Sequence, residues 1–188
     1  MSHYARARLA FLAALALLAP SVADAQASPD SAARAVAMQR LSFLAGRWSG
    51  DASAARPGGG RIAMRQVESI RFAVGGQVLV LEGLGRRLAG GVPGDTVFQA
   101  LGIIDWMPDR GYRMRSWILN GLQGEFPIAA TDSGFSWRTS VPGGQMEYVM
   151  TLTPAGEWRE RGTFIGASGG SFLVVDMLLK RTGTLPPN

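Results

Sequence analysis

The side chains able to do chemistry in this chain are few, and their scarcity is informative. The chain has no cysteine, and its one histidine is His3. A Ser-His-Asp or Cys-His mechanism needs an imidazole, and histidine or cysteine zinc sites need ligands that are missing beyond residue 25. Acid–base work therefore falls to carboxylates, hydroxyls, arginines or the single lysine, Lys180. Glu68, Tyr148 and Glu160 stand out because each shares the apolar register of an alternating segment. Burial there raises a carboxylate pKa toward the range used for proton transfer. The plainer reading of Glu68 and Glu160 is a buried ion pair or a polar rim. Asp105 and Asp109 flank "WMP" and read as turn-setting residues rather than calcium ligands. The glycine runs "PGGG" and "LAGGVPGD" lack a following lysine, serine or helix, so no phosphate loop is expected. No metal site and no cofactor are expected.

Strands must position these residues. After Trp48, glycines and prolines punctuate runs that alternate in polarity. Ten strands are expected: Arg47–Ser53, Arg61–Val74, Gln77–Arg86, Thr96–Trp106, Tyr112–Leu119, Gly124–Thr131, Phe135–Val141, Gln145–Thr153, Trp158–Ile165 and Ser171–Arg181. Short turns such as "VGGQ", "TDSG" and "VPGG" make neighbours antiparallel. Closing such a meander into a barrel removes its edges, and a two-sheet sandwich is the rival. "ASAARPGGGR" and "RRLAGGVPGD" read as loops at a barrel mouth.

Alternation then sorts the faces. Arg61, Arg65, Arg71, Arg113, Arg115, Arg138, Arg159 and Arg161 mark one face, which is expected to meet solvent. The opposite face carries Met64, Gln66, Glu68, Met114, Ser116, Trp137, Met146, Tyr148, Met150 and Glu160. These are the candidate interior ligand contacts. Methionines adapt to a guest, and a few polar groups in an apolar lining are the usual make-up of a ligand site. A filled core is the alternative.

The N-terminus reads as a secretory signal over residues 1–25: Arg6 and Arg8, an apolar run from Leu9 to Ala19, Pro20, and a small-x-small site ending at Ala25. Residues 26–40 are expected to hold a linker and a short helix, and residues 41–188 the barrel domain. Ala33, Ala37, Leu41 and Leu44 recur at helical spacing, so one amphipathic helix is expected over Ser31–Leu44. The strand "SFLVVDMLLKR" is apolar on both faces, and that helix is the expected cover for its outer face. The formal charge of +5 is almost wholly arginine. Export argues against a nucleic-acid partner. No later segment is apolar for long enough to span a bilayer as a helix.

The stretch "FLAGRWSGD" and the terminal "LLKR" resemble the calycin superfamily of lipocalins, fatty-acid-binding proteins and avidins. There a Gly-x-Trp opens the barrel and a basic residue near the end of the last strand packs across the indole. The resemblance implies that Gly46 and Trp48 open the first strand, that Trp48 plugs the closed end, and that Arg181 lies against it, with Lys180 the neighbouring alternative. The fuller pattern, with "VESIRFAVGGQVLVLEG" and "LGIIDWMPDRGYRMRSW", resembles a bacterial family classed only as a domain of unknown function and related to nitrobindin-like barrels. Nitrobindins hold haem through a histidine, which the chain beyond its signal lacks; Tyr112, Tyr148 or a methionine would be the remaining ligands. The expected architecture is therefore all-β: a ten-stranded antiparallel up-and-down calycin-like barrel with a short N-terminal helix. The expected function is binding of a small apolar or amphipathic ligand in its interior. A cofactor-free isomerase or hydrolase using carboxylates, and an envelope-surface protein using its arginines, are the alternatives.

Overall fold

A computed structural model describes residues 29–185. The expected signal segment lies outside the described residues. Alternating side chains with short Gly-rich turns leave each segment one greasy face and a partner close by. The result is ten antiparallel strands: β1 (Gly46–Ala55), β2 (Arg61–Ala73), β3 (Val78–Ala89), β4 (Val92–Met107), β5 (Gly111–Ile118), β6 (Gln123–Ala130), β7 (Gly134–Val141), β8 (Gly144–Leu152), β9 (Trp158–Gly166) and β10 (Ser171–Gly183). Each pairs with its chain neighbours, and β1 pairs with β10, which closes the wall. The sandwich alternative is excluded by that closure. Successive connections alternate between two ends. The turns β2–β3, β4–β5, β6–β7 and β8–β9 gather with the start of β1 and the end of β10 at one end, the base. The remaining turns ring the other end, the mouth.

The helical segment differs from expectation in two ways. It is not one helix over Ser31–Leu44 but α1 (Pro29–Gln39) followed by a short 3-10 turn at Ser42–Leu44. The amides of Arg40 and Leu41 bond the carbonyls of Ala37 and Met38 three residues back, which tightens and ends the α-helix. Nor does the helix cover β10. Met38, Leu41 and Leu44 are drawn into the base core, so α1 lies across the barrel end. Arg34 Nε donates to the Trp106 carbonyl at 3.0 Å, the Tyr112 hydroxyl donates to the Ala37 carbonyl at 2.7 Å, and Arg40 pairs with Asp132 at 2.7 Å. On the outer face of β10, Leu178 stands opposite Asp51 and Arg159, while Asp176 faces Arg159 and Arg161 at 3.6 and 3.8 Å.

Two further expectations are corrected. "RRLAGGVPGD" is not a loop: β3 and β4 run on to Ala89 and Val92, joined by Gly90 and Gly91 alone. Both glycines have positive φ, +59° and +83°, which a tight two-residue hairpin turn demands. Asp105 does not set a turn. It lies on the outer face of β4, where Arg113 Nε donates to it at 2.9 Å and Arg115 Nη2 at 3.2 Å across the strand pair.

Candidate functional site

The barrel interior divides into a packed base and a hollow mouth half. At the base Trp48 is fully buried, and its indole N–H donates to the Leu44 carbonyl at 2.8 Å. Trp158 meets it edge-on with ring centroids 5.8 Å apart. The Arg181 guanidinium stands 4.0 Å over the Trp48 ring, a cation–π contact. The same guanidinium donates to the carbonyls of Phe43 and Ala45, tying the last strand to the chain entering the first. Lys180 instead points toward Glu157, 3.7 Å away. Gly46 has φ +133°, and a Cβ there would sit 2.6 Å from Arg181 Nη1. Glycine is what lets the guanidinium reach the indole.

Above this plug the wall encloses a cavity of about 620 Å³. Met64, Gln66, Glu68, Met114, Ser116, Trp137, Met146, Tyr148 and Glu160 all line it. Met150 does not: it is fully buried in the base core, where β8 descends toward Trp158. Phe135, Trp137 and Tyr148 form an aromatic ladder along two adjacent strands, with centroid spacings of 5.5 and 4.6 Å and nearly parallel planes. Toward the mouth the lining is completed by Leu122, Gln123, Val141 and Pro142. Beside them the wall has its shortest ladder. β6 and β7 are joined through Ala129–Ser136 and Ala130–Phe135, near their turn, and Phe126 and Thr139 on the strands beyond also line the cavity.

Two carboxyls face this space. Glu68 is 8% exposed, and Gln66 Nε2 donates to its Oε1 at 2.7 Å. Burial pushes Glu68 up to about 8, opposed by the Gln66 hydrogen bond and reinforced by the charge of Glu160. Glu160 accepts from the Trp158 indole at Oε2, 3.1 Å, and burial lifts it to about 7 against that hydrogen bond. The Tyr148 hydroxyl is also pushed up, by burial first and then by Glu160. Among the described residues no arginine or lysine lines the cavity, so the acids do not form a buried ion pair there.

Sequence reasoning missed the small residues that make room for these groups. A Cβ on Gly83 would stand 2.7 Å from Glu68 Oε1, one on Gly85 2.6 Å from Gln66 Oε1, and one on Gly162 2.6 Å from the Tyr148 ring. The alternation of glycine in "EGLG", residues 82–85, is the available signal: glycine recurs on the inward register of a strand, where it costs strand stability unless something else occupies the space.

The chemistry open to this arrangement is narrow. Among the described residues no group of three histidine, cysteine, aspartate or glutamate side chains is placed to hold a metal. Of the haem ligands open to the sequence, Tyr148 and the methionines Met64, Met114 and Met146 line the cavity, and Tyr112 does not. Among the described residues there is no histidine, the Tyr112 hydroxyl is committed to Ala37 at the base, and the Tyr148 ring is stacked on Trp137. On the outside, most of the arginines that would meet an anionic surface are engaged. Arg61 donates to Ser53 and to the Leu173 carbonyl, Arg65 pairs with Asp51, and Arg113, Arg115, Arg159 and Arg161 face Asp105 or Asp176.

No protein-family model matches the chain, and a search of curated proteins finds no match. Among solved structures the barrel is similar to the crystal structure of Rv2717c from M. tuberculosis, with a TM-score of 0.58 and 14% identity. The likeness covers 78% of this chain and 97% of that one. At that identity it speaks to the fold alone.

Proposed function

We propose that this chain is an exported calycin-like barrel that binds a small apolar or amphipathic ligand in its interior. The observation that carries the reading is the cavity of about 620 Å³ at the mouth half, walled by methionines and an aromatic ladder. Such a volume and make-up lie within the range of small-molecule sites. A barrel of this strand number has room for a guest once its base is plugged.

Native mass spectrometry after mild purification should retain a small hydrophobic mass, and the emptied protein should take up a neutral apolar dye such as Nile red. Ala100 is a small residue of the cavity wall, and Ala100→Phe should block that uptake. A protein that carries no guest and takes up no dye contradicts the reading. Export is tested separately, by fractionation of cells making the full chain: recovery of a shortened form outside the cytoplasm supports it.

A second reading shares the cavity: a cofactor-free enzyme in which Glu68 and Glu160 exchange protons with a bound substrate. What favours it is that burial holds both acids near neutrality, where general acid–base groups work best. Its test is a metabolite screen. Depletion of one compound by the native protein, abolished in Glu68→Gln, supports catalysis.

A further inference from the structure

We infer that the guest of this cavity is an apolar molecule bearing a protonated amine, held by Glu68 and Glu160. This deepens the ligand-binding reading and rests on it. The first observation is the charge inventory of the lining. Among the described residues no lysine or arginine faces the cavity, whose charged side chains are Glu68 and Glu160. A fatty acid or other carboxylate guest would bring a negative charge into an apolar space with no counter-cation, beside two acids. That arrangement is among the costliest in protein interiors.

The second observation is an excess of acceptors aimed inward. Gln66 is 2% exposed and Glu68 8%, and each keeps one oxygen without a donor among the described residues: Oε1 of Gln66 and Oε2 of Glu68. Glu160 has spent only Oε2, on the Trp158 indole. An ammonium group offers three donors and no acceptor, which complements this set once the carboxyls ionise. A carboxylate offers the reverse. The third observation is the Phe135–Trp137–Tyr148 stack, which gives the apolar body of the guest an aromatic wall to pack on. Gly83 lets the Glu68 carboxyl lie flat against the wall and leaves the centre of the cavity for the guest.

The titratable groups facing the proposed site are Glu68 on β2, Glu160 on β9 and Tyr148 on β8, with no charged residue on the other strands of the lining. Burial keeps both acids partly or wholly protonated at pH 7. An arriving ammonium makes ionisation favourable, so binding drives protons from the carboxyls to solvent. Lowering the pH opposes this and weakens amine binding.

The experiment is isothermal titration calorimetry of the delipidated full-length protein with three compounds that share one ring system: naphthylmethylamine, naphthylmethanol and naphthoate. The amine should bind about tenfold or more tightly than the alcohol, as expected for a charge-assisted contact in a dry site, and naphthoate should bind weakest. Repeating the amine titration in buffers of different ionisation enthalpy should reveal proton release. In Glu68→Gln and Glu160→Gln the amine-to-alcohol ratio should fall toward one. If one variant fails to fold, the other and the three-compound series on the native protein still decide. Alcohol binding with no amine preference, or naphthoate binding as tightly as amine, overturns this inference and leaves the ligand-binding reading standing. Failure of all three to bind overturns both.

Discussion

The base and the mouth of this barrel are built from the same strands and the same residue types, yet one is solid and the other hollow. At the base, Trp48, Trp158, Met38, Leu41, Leu44 and Met150 are almost wholly buried against one another, and Arg181 caps the indole. At the mouth, Trp137, Tyr148, Met114 and Met146 line a space they do not fill. Two placements of glycine show how the difference arises. Gly46 removes a side chain so that a neighbour can close on the core. Gly83 removes one so that a neighbour can retreat from it. Aromatic and methionine content therefore says little about whether an interior is packed. What decides is whether chain from outside the barrel, here α1 and the turn after it, is available to fill the end.

Tryptophan truncation breaks this comparison most sharply. Trp48→Ala should cost about 3–5 kcal/mol of stability, read by urea denaturation, because it opens a void in a closed core. Trp137→Ala should cost clearly less, since an edge of that ring already lines the cavity, and it should change dye uptake instead. Equal losses at the two sites would mean the mouth half is packed after all.

A second contrast lies in charge. Burial lifts Glu68 and Glu160 above their ordinary value of 4.5, so the folded state keeps protons that the unfolded chain gives up. Their contribution to stability is fully present below pH 4.5. It declines as the pH rises toward about 7 and 8. Glu68→Gln, which cannot ionise, should stabilise the protein at pH 9 by on the order of 5 kcal/mol, with little effect at pH 4. Thermal melts across that range check it, and a gain at low pH instead would reverse the assignment.

The glycines sharpen the comparison at a smaller scale. Gly46→Ala should destabilise by about 2 kcal/mol, since it combines an unfavourable φ with a clash on Arg181. Gly83→Ala should act on the site rather than the fold, displacing the Glu68 carboxyl into the cavity and lowering guest uptake. The smallest effect is expected at the β2–β3 turn. Val74 has φ +53° and is exposed, a conformation that β-branched residues resist. Val74→Asn should gain about 0.5–1 kcal/mol in the same denaturation assay.

The wall was legible in the sequence because alternation and turn chemistry are local. All ten strands fall within a few residues of their expected bounds, and the arginine register marks the outside. The Trp48–Arg181 contact followed from the calycin likeness and is present at 4.0 Å. What escaped was the placement of things along the barrel axis. Alternation tells which face Met150 shares with Tyr148 but not that it lies at the packed end. It gives the helical spacing of Met38-adjacent residues but not the tightening at Arg40 and Leu41 that turns α1 across the base. Asp105 reads as a turn residue in sequence because its partners Arg113 and Arg115 belong to the next strand, and only the register brings them opposite. The space around Glu68 depends on a glycine one strand away, which no single-segment pattern records.

The central claim is that the mouth half is a chamber for a guest. A crystal structure of the protein grown with naphthylmethanol tests it most directly. The account predicts ring density inside the wall, between Met114, Trp137 and the Glu68 carboxyl, over an unchanged base. Side chains of Met64, Met114 and Trp137 found closed on one another, with the compound absent or bound outside the barrel, would contradict it.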